Sequence, residues 1–169
     1  LLGGIDVPDR GRIITDKRIS WPVGLSGGFQ GSLTGRENVK FVARVQGLDG
    51  PALRRIVDYV ESFAEIGGYF DEPVKTYSSG MRGRVAFGLS LAFDFDYYLI
   101  DEAMSVGDAH FKKKAKTVLR EKVGKANVLL VSHSMGDVAA LCDLVLVVRA
   151  GKIRRYEEVK AGIQAYQQE

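Results

Sequence analysis

Along the 169-residue chain the spacing of apolar positions changes character near residue 93. Before it, apolar residues recur at helical spacing in three stretches. Thr34 followed by Glu37 is a capping-box pair, and it predicts a helix that starts there and runs through NVKFVARVQG. The second stretch, PALRRIVDYVESFAEI over 51–66, carries Pro51 in its first turn, where the absent N–H has no helical partner to lose. The third covers 79–92. Upstream, IDVPDRG (5–11) reads as a turn and RIITDKRISWPV (12–23) as one or two short strands. Glycines cluster over 24–35 and make a loop, and 67–77 reads as a turn and short connection. After residue 93 the runs are short and continuous: YYLID (97–101), NVLLVS (127–132) and LVLVV (144–148). Unbroken apolar runs of this length predict parallel strands buried on both faces. Helical stretches at 108–122 and 135–142 separate them, which is the β-α-β-α-β order of an open sheet, and a polar helix over 157–168 closes the chain. The fold class is therefore α/β, with a helical insert at about 34–92 joined to an α/β core at about 93–153. No linker rich in Gly, Ser or Pro separates the two.

Composition narrows this little. A hydrophobic share of 46% in one chain of this length can bury a core. Lys and Arg number 24 against 21 Asp and Glu, so the net charge is only +3. That imbalance is a poor argument for nucleic acid, and Lys112-Lys113-Lys114 reads as a solvated helix face; no nucleic-acid partner is expected. Cys142 is the one cysteine, so no internal disulfide forms. No apolar run approaches the roughly 20 residues needed to span a bilayer. Any link to a membrane is expected to pass through a partner or the surface. The opening Leu1-Leu2-Gly3-Gly4 reads as the tail of a helix whose beginning is missing.

Three constellations carry candidate chemistry. Asp101-Glu102 ends an apolar strand, and ligands of open α/β sheets sit at the carboxyl ends of strands. One carboxylate there can hold Mg²⁺ and its neighbour can polarise an attacking water. Ser132-His133 ends the next run. If the strands are parallel, His133 shares that edge and can hydrogen-bond a γ-phosphate. YSSGMRGRVAFGLSLAF (77–93) opens a helix with Ser and Gly, whose free backbone N–H groups and dipole favour an anion, and Arg82 and Arg84 follow in its first turns. Taken singly, each has an ordinary explanation: solvated acids, a loop histidine, a capped helix.

Their order and spacing change that. YSSGMRGRVAFGLSLAFDFDYYLIDEAMSVGD (77–108) resembles, without gaps, the core of ATP-binding-cassette (ABC) ATPases. Tyr77-Ser78-Ser79-Gly80-Met81 resembles a degenerate LSGGQ signature, with Ser79 in place of a glycine and Met81 in place of the glutamine. Tyr98-Leu99-Ile100-Asp101-Glu102 resembles the Walker B strand, Ser105-Val106-Gly107-Asp108 the D-loop and His133 the switch histidine. SWPVGLSGGFQGSLTGRENVKFVARVQGL, KTYSSGMRGR and FDFDYYLIDEAMSVGDAHFKKK are most similar to the ATPases that export capsular polysaccharide in Gram-negative bacteria.

The resemblance implies a RecA-like P-loop NTPase core with a helical subdomain, lacking the N-terminal strands and P-loop. Residues 1–33 would be the remnant of the P-loop helix, β-strands and Q-loop. Residues 34–92 would be the helical subdomain ending in the signature helix, and 93–169 the α/β core. It implies ATP and Mg²⁺ as cofactors. Glu102 and His133 would be catalytic. Ser78, Ser79, Gly80, Met81, Asp108 and Gln30 would bind nucleotide, and Asp101 and Gln30 the metal. It implies an ATP-driven translocase: a peripheral homodimer on the cytoplasmic face of the inner membrane, beneath an integral membrane permease. Ser78 to Met81 of one subunit would complete the site holding Asp101, Glu102 and His133 of the other. Residues 29–45, with Phe29, Leu33 and Phe41, would dock on the permease.

Besides the degenerate signature, the chain departs from the family in one large respect. No G-x-x-x-x-G-K-[ST] sequence occurs; Gly124-Lys125 is followed by Ala126 and Gly151-Lys152 by Ile153. That loop supplies the phosphate cradle, so the chain is expected to begin just after it and, alone, to bind Mg-ATP poorly and not hydrolyse it. The alternative is a truncated, non-catalytic partner subunit of such a transporter. Leu25-Ser26-Gly27-Gly28 also spells LSGG, and Gly24 to Gly28 matches G-x-S-x-G. No basic helix or acidic strand follows the first at the right distance. A nucleophile elbow needs a helix straight after its serine, and here a loop follows.

Overall fold

A computed structural model of the chain describes residues 2–4, 6–24, 28–101 and 107–168. The helical part follows its local signals. α1 (Gly35–Val45) begins at Thr34, whose hydroxyl accepts from the Glu37 N–H at 3.0 Å while the Glu37 carboxylate accepts from the Thr34 N–H at 2.9 Å. This is the predicted reciprocal cap. α2 (Gly50–Ala64) carries Pro51 in its first turn and stops at Glu65, which is left-handed with φ 50°. Two short 3₁₀ turns, Gly67–Asp71 and Val74–Thr76, lead to α3 (Ser79–Leu91), capped by Ser78. The three helices share one core: Val39 and Ala43 from α1, Leu53, Val57 and Val60 from α2, Val85 and Leu89 from α3, closed by Phe70. Gly88 lets α2 and α3 meet, since a Cβ there would lie 2.8 Å from the Phe63 ring.

A second core joins this part to a sheet. β1 (Ile19–Pro22), β2 (Tyr97–Asp101) and β3 (Asn127–Val131) are parallel and ordered β1-β2-β3. α4 (Ala109–Val123) connects β2 to β3. Tyr98 and Ile100 of β2 pack with Phe111, Ala115 and Leu119 of α4 and with Phe87 and Leu91 of α3. Pro22 ends the edge strand β1, where its lack of an N–H removes no central ladder bond.

Beyond β3 the structure corrects the sequence reading. α5 (Met135–Leu141) leads to β4 (Val145–Arg149), and β4 is not a third parallel strand of that sheet. It turns at Ala150 and Gly151, both at positive φ (46° and 72°), into β5 (Lys152–Tyr156), with which it pairs antiparallel in a separate two-stranded sheet. β5 was invisible as an apolar run because Ile153 is flanked by Lys152, Arg154 and Arg155. α6 (Val159–Gln167) covers one face of this hairpin, and a Cβ on Gly162 would lie 2.6 Å from the Val145 Cβ. Nor are β3 and β4 buried on both faces. Val147 is buried, whereas Leu146, Val148, Leu129 and Val131 are exposed, because elements pack against only one side of each strand among the described residues. Of 12–23, only Ile19–Pro22 is a strand; Thr15 to Lys17 instead form a local turn in which the Thr15 hydroxyl accepts from the Lys17 N–H. Leu2 to Gly4 are a turn rather than a helical tail, with Gly4 at φ 70°.

Candidate nucleotide site

Ser78 has an extended backbone, and its hydroxyl accepts from the Met81 N–H at 3.1 Å. Ser79, Gly80 and Met81 therefore form the first turn of α3. By helix geometry the N–H groups of Ser79 and Gly80 have no intrahelical acceptor. Ser78 and Ser79 are exposed, while Met81 packs against the helical core. The segment is held from behind by Tyr77. Its ring is buried, its hydroxyl accepts from the Gly35 N–H at 3.1 Å, and burial raises the phenol's pKa.

α3 is tied to the start of α4. Asp108 caps α4 by accepting from the Phe111 N–H at 2.9 Å, and its second oxygen accepts from Arg84 Nη2 at 2.6 Å. The Arg84 guanidinium lies 4.9 Å from the centre of the Phe111 ring. The Phe111 N–H, and after it the charge of Arg84, holds the Asp108 carboxyl below the usual carboxylate range. Gly107 is at φ 80°, and a Cβ there would meet Phe111 at 2.8 Å. Ser78, Gly80, Met81, Arg84, Gly107 and Asp108 line one cavity of about 380 Å³, with Glu65 on its other wall. Glu65 is ion-paired to Lys114 at 2.5 Å, which lowers its pKa.

A second group sits at the carboxyl edge of the parallel sheet. The register pairs Asp101 with Val131, so Asp101 ends β2 level with the last residue of β3. Ser132 and His133 continue from there, and both Asp101 and His133 are exposed. The sequence condition for bringing His133 to the Asp101 edge is met, because the strands are parallel. Glu102, with Ser105 and Val106 of the D-loop, lies outside the described residues, as do Leu25 to Gly27 of the second LSGG; from Gly28 to Thr34 no helix follows them. No group of three or more His, Cys, Asp or Glu gathers as a metal cage among the described residues. One exposed carboxylate at a strand end still fits Mg²⁺, which binds through one or two carboxylates plus phosphate and keeps several waters.

Gln30 stands in the turn before α1, with its side chain exposed and its backbone bound on both sides to Asn38. The structure thus joins the signature residues to Asp108 in one cavity and Asp101 to the His133 approach at one sheet edge. Gln30 is not part of that cavity's lining. Sequence reasoning missed Asn38 and the Arg84–Asp108 pair. Asn38 had a signal, since it is a polar residue on the buried stripe of an amphipathic helix. The 24-residue separation of Arg84 and Asp108 offered none.

No protein-family model matches the chain. Individual proteins do. The polysialic acid transport ATP-binding protein KpsT of Escherichia coli is 54% identical over 167 residues, 98% of this chain and 74% of the relative. The capsule polysaccharide export ATP-binding protein CtrD of Neisseria meningitidis serogroup B is 43% identical, covering 98% of this chain and 76% of its own length. The ATP-binding protein BexA of Haemophilus influenzae is 42% identical, at 98% and 75%. A solved ATP-binding subunit of an ABC transporter superposes with a TM-score of 0.69 at 19% identity, over 82% of this chain and 58% of that one, and so shares its fold. With identity of this order along nearly its whole length, and spanning about three quarters of these relatives (74–76%), the chain belongs to the family of ABC-transporter ATP-binding subunits for capsular polysaccharide export.

Proposed function

We infer that this chain serves as the ATP-binding and ATP-hydrolysing subunit of an ABC transporter that exports capsular polysaccharide. The observation that carries this reading is the 54% identity to the Escherichia coli polysialic acid transport protein along 98% of the chain. The geometry supports the roles of individual residues. The first turn of α3 offers the N–H groups of Ser79 and Gly80, which have no intrahelical acceptor, and a dipole to a phosphate anion. Asp101, an exposed carboxylate at the end of β2, would hold Mg²⁺, which neutralises phosphate charge when bound. Glu102 would orient the attacking water, and His133, which follows β3 at the Asp101 edge, would donate a hydrogen bond to the terminal phosphate group. The signature residues open α3 and Asp101 ends β2, and the two would meet across a pair of copies. The functional units are 1–33, 34–92 and 93–169, with the signature helix ending the second.

The shared site is tested by mixing two inactive variants of the intact subunit, Ser78→Arg and Glu102→Gln. In a symmetric dimer with sites built across the interface, random mixing restores about a quarter of wild-type turnover, since half the dimers carry one intact site of two. No recovery would show that each subunit holds its own site.

The membrane partner docks on α1. Phe41 and Val45, one turn apart, are 59% and 67% exposed, while Phe29 packs against the helical core and Leu33 is half-buried. Phe41 therefore leads the contact with the permease, on the cytoplasmic face of the inner membrane. No helix among the described residues is long and apolar enough to cross a membrane. Phe41→Asp is expected to abolish co-purification with the permease and leave the fold intact. The 169-residue polypeptide, which contains no G-x-x-x-x-G-K-[ST] sequence, binds Mg-ATP weakly by itself. A calorimetric titration giving micromolar affinity would overturn that.

A further inference from the structure

Asn38 is 2% exposed, and its carboxamide spends its hydrogen bonds on the turn before its own helix. Oδ1 accepts from the Gln30 N–H at 2.8 Å. Nδ2 donates to the carbonyls of Gln30, Leu33 and Thr34 at 3.1, 3.3 and 2.9 Å. The turn closes on itself through the Leu33 N–H to the Gln30 carbonyl at 3.1 Å. On its far side it is bonded to the segment that enters the signature. The Lys75 N–H donates to the Gly31 carbonyl and the Val74 N–H to the Leu33 carbonyl, both at 2.9 Å. Gly35, the first residue of α1, donates to the Tyr77 hydroxyl, and a Cβ at Gly35 would collide with that oxygen.

Helix formation does not call for asparagine at this position. It is a mediocre helix former, and burying a carboxamide is costly unless its partners are supplied. Its presence is explained by the turn, which has no other side chain bonding to its backbone among the described residues apart from the Thr34 cap. We propose that Asn38 is a positioning residue: it fixes the backbone of Gln30 to α1 and, through Val74 to Tyr77, to the start of α3. The backbone from which the exposed Gln30 side chain projects is thereby held at a set geometry relative to both the signature turn and the Phe41 face. This rests on the reading of Gln30 as the nucleotide-facing glutamine.

Two measurements test it. The first is amide hydrogen exchange on the chain itself for wild type, Asn38→Ala and Asn38→Asp. The Leu33 amide is expected to exchange at least about tenfold faster in both variants, and the Gln30 amide in the alanine variant, while Leu89 and Leu91 of α3 stay protected. Unchanged exchange at Leu33 overturns the clamp. Should the alanine variant fail to fold, the near-isosteric aspartate, which keeps the acceptor and loses the donors, carries the measurement. The second is a double-mutant cycle on ATP turnover of the intact subunit. Asn38→Asp and Gln30→Ala each lower kcat about tenfold, and the double variant is no slower than Gln30→Ala alone. Additive losses mean that Asn38 does not act through Gln30, which overturns the positioning role. Unchanged turnover in Gln30→Ala alone instead removes the reading of Gln30, and the functional half of the proposal with it.

Discussion

The helical part and the carboxyl-terminal part of this chain are built on opposite terms. Between Gly35 and Leu91, α1 and α2 each carry an apolar stripe, α3 is buried on nearly every side from Val85 to Leu91, and the three share one core. From Asn127 to Gln168 only Val147 and Gly162 are buried among the described residues. β3 stands at the edge of its sheet, and β4 and β5 form a sheet of two strands. The difference lies in how each element satisfies itself. A helix pairs its own backbone and needs one covered face. A strand can pair its backbone only with a neighbouring strand, and a sheet of two strands leaves the outer edge of each unpaired and is marginal without a covering element.

Four changes sharpen that contrast. The largest effect is expected at Phe63, which stacks on Tyr59 and Phe87, meets Phe111 edge-on and carries Lys114 Nζ 5.1 Å above its ring centre. Phe63→Ala should cost about 3–5 kcal/mol in urea unfolding, whereas Leu146→Ala on the exposed hairpin face should stay within about 0.5 kcal/mol. Equal losses would erase the distinction between the two parts. Gly162→Val comes next. It forces α6 off Val145 and should cost about 1–3 kcal/mol, visible as early loss of the carboxyl-terminal helix in hydrogen exchange. Third is Arg36, which clamps the helical part by bonding Glu61 and Asp71 at 2.6 Å each and lying over Phe70. Asp71 is 60% exposed, so water screens the pair, and Arg36→Ala should cost only about 1 kcal/mol by thermal melting. The smallest effect is the acid sensitivity of Asp108. Its folded pKa is lowered, so its contribution is present above the usual carboxylate range and fades as pH falls through the folded value. Asp108→Asn, still able to cap α4, should show a shallower loss of stability on acidification, followed by Trp21 fluorescence. An unchanged acid slope would mean that Arg84 and the Phe111 N–H do not favour the charged form.

The limits of α1, α2 and α3 could be read directly from residues. Thr34 with Glu37, Pro51 and Ser78 are local instructions, acting within a turn of where they stand. The ordered quartet of candidate motifs was equally legible, because spacing along a chain is itself sequence. The carboxyl-terminal hairpin was not. LVLVV reads the same whether its partner is parallel or antiparallel, and KIRRY hides a strand behind three cations. The clamps of the candidate site were also out of reach. Arg84 finds Asp108 across the α3–α4 interface, and Tyr77 reaches Gly35 across 42 residues. Caps and periodicities depend on neighbours a few bonds away, so residue order is enough to specify them. Pairing direction, edge exposure and the joining of distant side chains depend on which surfaces meet, and that is settled only when the helices and strands pack.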